Sequence, residues 1–119
     1  MEKEFIPYKQ ALALKKLGFD EPCFGFYIAG QLMVTTDSVY NSTDISVLKA
    51  PTFSQAFRFF REKYKLHSTI TSISQESWQW YITKPGESLG KLYEEDFYNY
   101  EEAELACLRK LIEICRKLK

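Results

Sequence analysis

The stretch Pro51–His67, PTFSQAFRFFREKYKLH, sets four phenylalanines among two arginines and two lysines. Thr52 followed three residues later by Gln55 forms a capping box, which is a common start of a helix. At 100° per residue, one arc of this helix carries five residues, four of them aromatic. The arc consists of Phe53, Ala56, Phe57, Phe60 and Tyr64. We therefore expect a central helix that buries this arc in the core.

A β-hairpin is predicted before this helix by CFGFYIAGQLMVTT, residues 23–36. Two runs of aromatic and branched residues flank Ala29-Gly30-Gln31, which is a turn signal. Gly25 inside the first run indicates a bulge or a close approach of another backbone. DSVYNSTD, residues 37–44, has the composition of a loop, and ISVLKA, residues 45–50, predicts a short further strand.

A second β-hairpin is predicted after the central helix, where the runs STITSIS and WQWYIT flank the polar turn QES. Strand alternation places Trp78, Trp80 and Ile82 on one side of the second run. Tyr81 then points to the other side. Residues 84–98 predict an irregular loop, long enough to be functional or mobile.

Amphipathic helices are predicted at both ends of the chain. In PYKQALALKKLGFD, Gly18 is placed to end the first helix in the left-handed conformation, with Phe19 packing back on Leu14. Asn99 with Glu102 is a cap pair that begins the last helix, and an apolar stripe follows it. The stripe consists of Ala103, Ala106, Cys107, Leu111, Ile114, Cys115 and Leu118.

The predicted order of elements is α-β-β-(β)-α-β-β-α. Two hairpins favour an antiparallel sheet of about four to five strands. Amphipathic helices packed against this sheet make the fold class α+β. Since the chain has 119 residues and no linker or repeat, we expect residues 1–119 to form a single compact domain.

Charge balance and cysteine usage limit the classes of function. Lysine plus arginine equals aspartate plus glutamate, 16 against 16, which disfavours nucleic acid as a partner because phosphate-binding domains usually carry a basic excess. The three cysteines are apolar-flanked, which indicates a reduced, intracellular chain. MEKEFIPYKQ lacks the apolar run of a signal peptide, and no stretch approaches the ~20 apolar residues of a membrane span. We expect a cytoplasmic protein with no membrane partner.

No catalytic constellation or metal motif stands out. The sequence has no CxxC, no HExxH and no phosphate-binding glycine loop. The acidic group Glu94, Glu95 and Asp96 lacks the alternating oxygen ligands and the turn glycine of a calcium loop. We therefore expect that the protein is not an enzyme and needs no metal and no cofactor.

One face of the central helix carries a candidate ligand site. Arg58, Arg61 and Lys65 recur at steps of three and four residues. Only Glu62 is near enough to neutralise them. The stripe is either a solvated helix face or a cationic ridge whose arginine forks hold phosphate or carboxylate.

Aromatic rings and a histidine extend the candidate site. Trp78, Trp80 and Tyr81 are rings of the kind on which nucleobases stack, and the alternative is that they fill the core of the sheet. His67 follows the basic helix and is either structural, solvent-exposed, or a hydrogen-bond donor to an anion. Phe59 and Leu66 fit neither stripe of the helix. Either the sheet covers them, or they mark a contact surface such as a dimer interface.

The segments QALALKKLGFDEPCFGFY, APTFSQAFRFFREKYKLH and YEEAELACLRKLIEI together make up about half of the chain. They resemble small uncharacterised proteins encoded by tailed phages and prophages of gut Bacteroidetes. The resemblance implies a short, cytoplasmic, single-domain accessory protein made in an infected bacterium. It implies no activity and no functional residues.

Small phage accessory proteins without catalytic motifs commonly act by binding. The first expectation is a protein that sequesters an anionic small ligand, such as a nucleotide-derived signal of host defence. Arg58, Arg61 and Lys65 would hold phosphates while rings stack on the bases. The alternative is a protein-binding module, a homodimer or an inhibitor of a host protein, which uses exposed aromatic surface at Phe59 and Leu66. Nucleic-acid binding is a third expectation.

Overall fold

The computed structural model describes residues 4–34, 47–84 and 96–118. Within these residues the chain contains three helices and two antiparallel sheets, which confirms the α+β fold class. The chain divides into two compact units, Met1–Ala56 and Phe57–Lys119. A single domain over residues 1–119 stays a prediction. The loop predicted over residues 37–44, and all but the ends of the loop predicted over residues 84–98, lie outside the described residues.

The first unit begins with helix α1, Tyr8–Lys16, which ends as its sequence predicts. Gly18 adopts a left-handed conformation with φ 99°. The Phe19 N–H donates to the Leu14 carbonyl at 3.0 Å, and the Gly18 N–H donates to the Lys15 carbonyl at 3.1 Å. This pair of bonds is the Schellman motif, so the stop predicted from Gly18 and Phe19 is confirmed.

Three strands of the first unit form one antiparallel sheet in the order β2-β1-β3. The strands are β1 (Gly25–Ile28), β2 (Gln31–Val34) and β3 (Val47–Ala50). Ala29 and Gly30, with φ of 53° and 81°, form the two-residue turn between β1 and β2. Positive φ at both positions is the signature of a type I′ turn, whose twist matches that of the flanking strands.

Gly25 marks a close approach rather than a bulge. A Cβ atom at this position would lie 2.6 Å from the Phe5 ring and 2.8 Å from the Ala50 carbonyl oxygen. The segment that carries Phe5 is fixed by two hydrogen bonds. The Ile6 N–H donates to the Pro51 carbonyl at 3.0 Å, and the Tyr27 hydroxyl donates to the Ile6 carbonyl at 2.9 Å.

Helix α2, Phe53–Lys63, is the predicted central helix. The Gln55 N–H donates to the Thr52 hydroxyl at 3.2 Å, so Thr52 is the N-cap. The Gln55 side chain donates to the Pro22 carbonyl at 3.0 Å instead of returning to Thr52. The predicted aromatic arc is buried at Phe53, Ala56 and Phe60 and half-buried at Phe57 and Tyr64.

The second unit contains β4 (His67–Ser74), β5 (Ser77–Thr83) and α3 (Tyr100–Leu118). Strands β4 and β5 form an antiparallel hairpin with a bulge at Ile73, and α3 packs on both strands. The Glu102 N–H donates to the Asn99 side chain at 2.9 Å, which confirms the predicted cap of α3. Six of the described side chains of the helix are buried. They are Ala103, Cys107, Leu108, Leu111, Ile112 and Cys115.

The strands form two sheets, of three and two strands, instead of the single sheet that the sequence predicted. Each hairpin gains a further pairing from a later segment of the chain. Strand β3 pairs with β1 of the first hairpin, and Phe97 pairs with Trp78 of β5 in the second. Among the described residues, no helix is both long enough and apolar enough to cross a membrane.

Candidate functional site

The basic residues predicted as a ligand site are exposed in the second unit. Arg58 and Arg61 project from α2, Lys65 follows the helix, and His67 begins β4. We call these four residues the cationic ridge. The guanidinium Nε of Arg58 lies 4.0 Å from the Glu62 carboxylate, and both side chains are more than half exposed. An exposed pair at this distance stabilises little.

Lys65 has an unusual backbone conformation, with φ 59°. The chain turns back at this residue, since the Leu66 N–H donates to the carbonyl of Phe60 at 3.1 Å. The left-handed conformation is unfavourable for residues other than glycine, asparagine and aspartate. The turn therefore leaves the exposed Lys65 at the end of α2, where its positive charge complements the negative end of the helix dipole.

Lys63 is a further cation of this region that the predicted stripe left out. Its ammonium nitrogen lies 5.5 Å from the centre of the Phe59 ring and 5.6 Å from that of Tyr64. Cation–π attraction orients this lysine over the two rings. The four-residue step from Phe59 to Lys63 was the signal in the sequence, since residues four apart are neighbours on a helix.

The register of the β4–β5 hairpin separates the predicted rings. His67 lies opposite Thr83, and Tyr81 lies opposite Thr69, so His67 and Tyr81 belong to the same face. On the other face, Trp78 and Trp80 lie opposite Ser72 and Ile70. His67 is exposed and Tyr81 is half-buried. Tyr81 is therefore the predicted ring that shares a face with a member of the cationic ridge.

Trp80 is only 5% exposed, and Ile82 on the same face is fully buried. A ring this deeply buried cannot stack on a ligand that arrives from solvent. The expectation that Trp80 binds ligand is therefore corrected. Trp80 fills the core instead, which was the alternative. Trp78 is half-buried against the Tyr100 ring, which also assigns it to packing.

Phe59 and Leu66 are buried, with 5% and 2% of their surface exposed. The Phe59 ring meets the Phe60 and Tyr64 rings edge-on, at centroid distances of 5.3 and 5.9 Å. The turn at Lys65 folds Leu66 back toward the last turn of α2. The exposed contact surface predicted at these two residues is therefore corrected, since both belong to the core.

All three cysteines lie within the described residues and are buried. Burial raises the pKa of the Cys23 thiol to about 12, and it does the same for Cys107, so both stay protonated at neutral pH. No group of three or more histidine, cysteine or acidic residues that could hold a metal ion occurs in residues 4–34, 47–84 and 96–118. The hydrogen bond from the Gln79 side chain lowers the pKa of the exposed Asp96 carboxyl, so Asp96 is a structural acceptor.

The cationic ridge, with Tyr81 on the same face of the hairpin as His67, is thus what the structure retains of the predicted site. Comparison of the chain with protein-family models, with curated proteins and with solved structures gives no match. Function must therefore be inferred from these side chains.

Proposed function

We propose that this chain is a small binding protein, without enzymatic activity, that holds an anionic, nucleotide-type ligand at the cationic ridge. One observation carries the proposal. Residues 58–67 contain four lysines and arginines and one histidine against a single carboxylate, in a chain whose total charge is balanced. Every one of these basic side chains is exposed. Residues 58–67, which include the ridge, therefore carry a local excess of positive charge in a chain that is not basic overall.

The residue types suit a phosphate-bearing ligand. Arginine donates paired hydrogen bonds to two oxygens of one phosphate, and lysine adds a point charge. Arg58 and Arg61 lie three residues apart on α2, so their guanidinium groups project from neighbouring positions of the helix. His67 can donate a further hydrogen bond, and Tyr81 on the same face supplies a ring on which a base can stack.

The strained backbone of Lys65 also supports the proposal. A lysine in the left-handed region costs about 1 kcal/mol or more relative to glycine, and such outliers cluster at binding sites. A glycine or asparagine would suit the turn better. Lysine therefore lowers stability at this position while it adds a positive charge to the ridge.

The resemblance to phage accessory proteins suggests the biological setting. In that setting the protein acts in the cytoplasm of a bacterial host and sequesters a nucleotide-derived signal of host defence. Sequestration requires binding alone, so the proposal calls for no metal, cofactor or catalytic group.

The test is a thermal-shift screen of the purified chain against cyclic di- and oligonucleotides, ADP-ribose derivatives and short DNA. A ligand at 100 times its dissociation constant should stabilise the folded state by roughly 2.7 kcal/mol, which raises the melting temperature by several degrees. Arg61→Ala should weaken binding by about tenfold to a hundredfold, because a charge-assisted hydrogen bond contributes about 1.5–3 kcal/mol. Arg109→Ala is the matched control, since Arg109 is an exposed arginine of α3 outside the ridge.

Two results would contradict the proposal: no shift with any ligand, or an equal loss of affinity in Arg61→Ala and Arg109→Ala. A shift with short DNA that falls steeply with salt would instead indicate nucleic-acid binding through phosphates.

Binding to another protein is the second candidate function. It is favoured by exposed apolar side chains in the first unit, where Phe24, Ile28 and Met33 are 48%, 43% and 48% exposed. These residues replace Phe59 and Leu66 as the apolar surface on which this candidate depends. Capture of a defined host protein that is lost in Phe24→Ser would support this candidate.

A further inference from the structure

The two outer strands of the three-stranded sheet differ in the pairing of their outer edges. Strand β3 continues into Pro51 and Thr52, which pair with Ile6 and Phe5, and its apolar side chains are buried. Strand β2 pairs with β1, and among the described residues nothing pairs with its other edge. Within the described residues, the outer edge of β2 therefore has no strand partner along its length.

Strand β2 also lacks the features that normally protect an edge. Natural edge strands carry lysine or other charges, a proline or a bulge, which prevent pairing with another strand. The four residues of β2 are Gln, Leu, Met and Val, with no charge and no proline, and their register with β1 is regular. Met33 is 48% exposed and Val34 is 36% exposed. An open, uncharged and apolar edge is suited to the addition of a strand.

The hairpin turn determines which backbone groups point outward. Ile28 and Gln31 close the two-residue turn, so their N–H and C=O groups face each other. Because these directions alternate along a strand, Met33 points its backbone groups at β1, while Leu32 and Val34 point theirs away from the sheet. The free groups of β2 therefore belong to Leu32 and Val34.

We propose that β2 pairs antiparallel with β2 of a second copy of this chain, around a two-fold axis that passes through Met33. In this register Leu32 faces Val34 of the second copy on one side of the joined sheet. Met33 faces Met33 of the second copy on the other side. The outward backbone groups of Leu32 and Val34 then bond each other in both directions.

A second copy satisfies this edge better than a foreign strand on two grounds. The sequence Leu32-Met33-Val34 places an apolar residue opposite an apolar residue on both faces when it pairs with itself. A two-fold contact also satisfies the outward groups of both strands at once and closes the assembly, which leaves no further β2 edge open. The proposal is independent of the cationic ridge, which belongs to the other unit.

The register makes a specific cross-linking test available. Met33 would form a non-hydrogen-bonded pair with its symmetry mate, in which Cα atoms lie about 4.5 Å apart, within the range of a disulfide. Met33→Cys should therefore form an intermolecular disulfide under mild oxidation. The control is Ile28→Cys, which is similarly exposed at 43% but lies on β1, away from the axis. The native cysteines are buried and give little background.

The Met33→Cys protein should cross-link at least about tenfold faster than Ile28→Cys, because pairing holds the two thiols at an effective concentration in the millimolar range. Sedimentation equilibrium of the unmodified chain should show a concentration-dependent dimer. Val34→Pro should weaken that dimer by about tenfold or more, since proline removes an outward N–H that the intrachain ladder does not use. Circular dichroism should show that this variant keeps its strands.

Three results would overturn the proposal. They are a monomeric chain at every concentration, equal cross-linking rates in the two cysteine variants, and a dimer that Val34→Pro does not weaken. The first of these would leave a foreign strand as the occupant of the edge. The cysteine comparison decides the question even where Val34→Pro fails to fold.

Discussion

The rings of Trp78 and Tyr100 meet edge to face, with centroids 5.5 Å apart and planes at 87°. The Trp78 backbone is also fixed, because its N–H donates to the Phe97 carbonyl at 2.8 Å and its carbonyl accepts from the Phe97 N–H at 2.9 Å. Tyr100 is the first residue of α3. These contacts tie the start of α3 to β5, so Trp78 stabilises the second unit.

Trp78→Ala should therefore lower the free energy of unfolding by about 2–4 kcal/mol, since it removes a half-buried ring and its aromatic contact. Tyr100→Phe keeps the ring and should change stability far less. Urea denaturation followed by circular dichroism measures both variants. An unchanged midpoint in Trp78→Ala would contradict the packing role and would return Trp78 to the candidate ligand site.

Gly25→Ala should destabilise the chain by about 1–3 kcal/mol, because overpacking forces neighbours to move. The added Cβ would lie 2.6 Å from the Phe5 ring and 2.8 Å from the Ala50 carbonyl oxygen. Phe5→Leu should recover part of this loss in a double-mutant cycle, because the smaller side chain yields space on one side. The recovery should stay incomplete, since the Ala50 carbonyl belongs to the backbone of β3. Additive effects of the two substitutions would contradict the close approach.

Ala29→Asn should stabilise the first unit by about 0.5–1 kcal/mol. Ala29 has φ 53° in the turn between β1 and β2, and Asn-Gly is the preferred sequence of a type I′ turn. Ala29→Val should have the opposite effect, because a β-branched residue tolerates positive φ poorly. In thermal unfolding, the melting temperature should be highest for the Asn variant, intermediate for the unmodified chain and lowest for the Val variant. Any other order would exclude this turn.

Local features of the fold could be predicted from the sequence, and contacts distant in the sequence could not. The stop at Gly18 and the cap at Asn99 depend on residues within one turn, so the sequence contains all the information. The burial of Trp80 and Phe59 depends on which face of a hairpin or helix meets the rest of the chain. Periodicity groups residues on a face, but it does not show which of two apolar faces is covered. For the same reason, the stripe of basic residues on α2 could be predicted, and so could three candidate rings, but not which of these rings shares a face with His67.

Glu104→Gln should stabilise the chain at neutral pH. Burial raises the pKa of the Glu104 carboxyl above its ordinary value of 4.5, and this effect exceeds that of the hydrogen bond from Tyr100, which lowers the pKa. A raised pKa means that the folded state binds the proton more tightly than the unfolded state does. The protein therefore loses stability as the pH rises above 4.5, and the glutamine variant avoids that loss.

The difference between Glu104→Gln and the unmodified chain should vanish as the pH falls below 4.5, where both states carry a protonated carboxyl. Glu113→Gln on the same helix is a control of opposite sign. Hydrogen bonds from Lys117 and Lys110 lower the pKa of the Glu113 carboxyl, so its loss should destabilise at neutral pH. Unfolding free energies measured from pH 3.5 to pH 7, about one unit below the ordinary glutamate pKa to well above it, test both. Parallel profiles of the two variants would contradict the buried environment of Glu104.

Lys65→Gly should separate stability from binding. Glycine adopts the left-handed conformation without steric cost. The free energy of unfolding of this variant should therefore be about 1 kcal/mol higher than that of the unmodified chain. The same change removes a cation of the ridge and should weaken the binding of a phosphate-bearing ligand by about tenfold, the effect of losing one charged contact. Lys65→Asn is a second variant that tolerates this backbone without the charge, and Lys65→Arg keeps the charge. Calorimetric titration measures the affinity, and urea denaturation of the same preparations measures the free energy of unfolding.

Weaker binding in Lys65→Gly and Lys65→Asn but not in Lys65→Arg would show that the charge of Lys65 contacts the ligand. Equal affinities in all three variants would remove Lys65 from the site. A glycine variant less stable than the unmodified chain would contradict the left-handed turn itself.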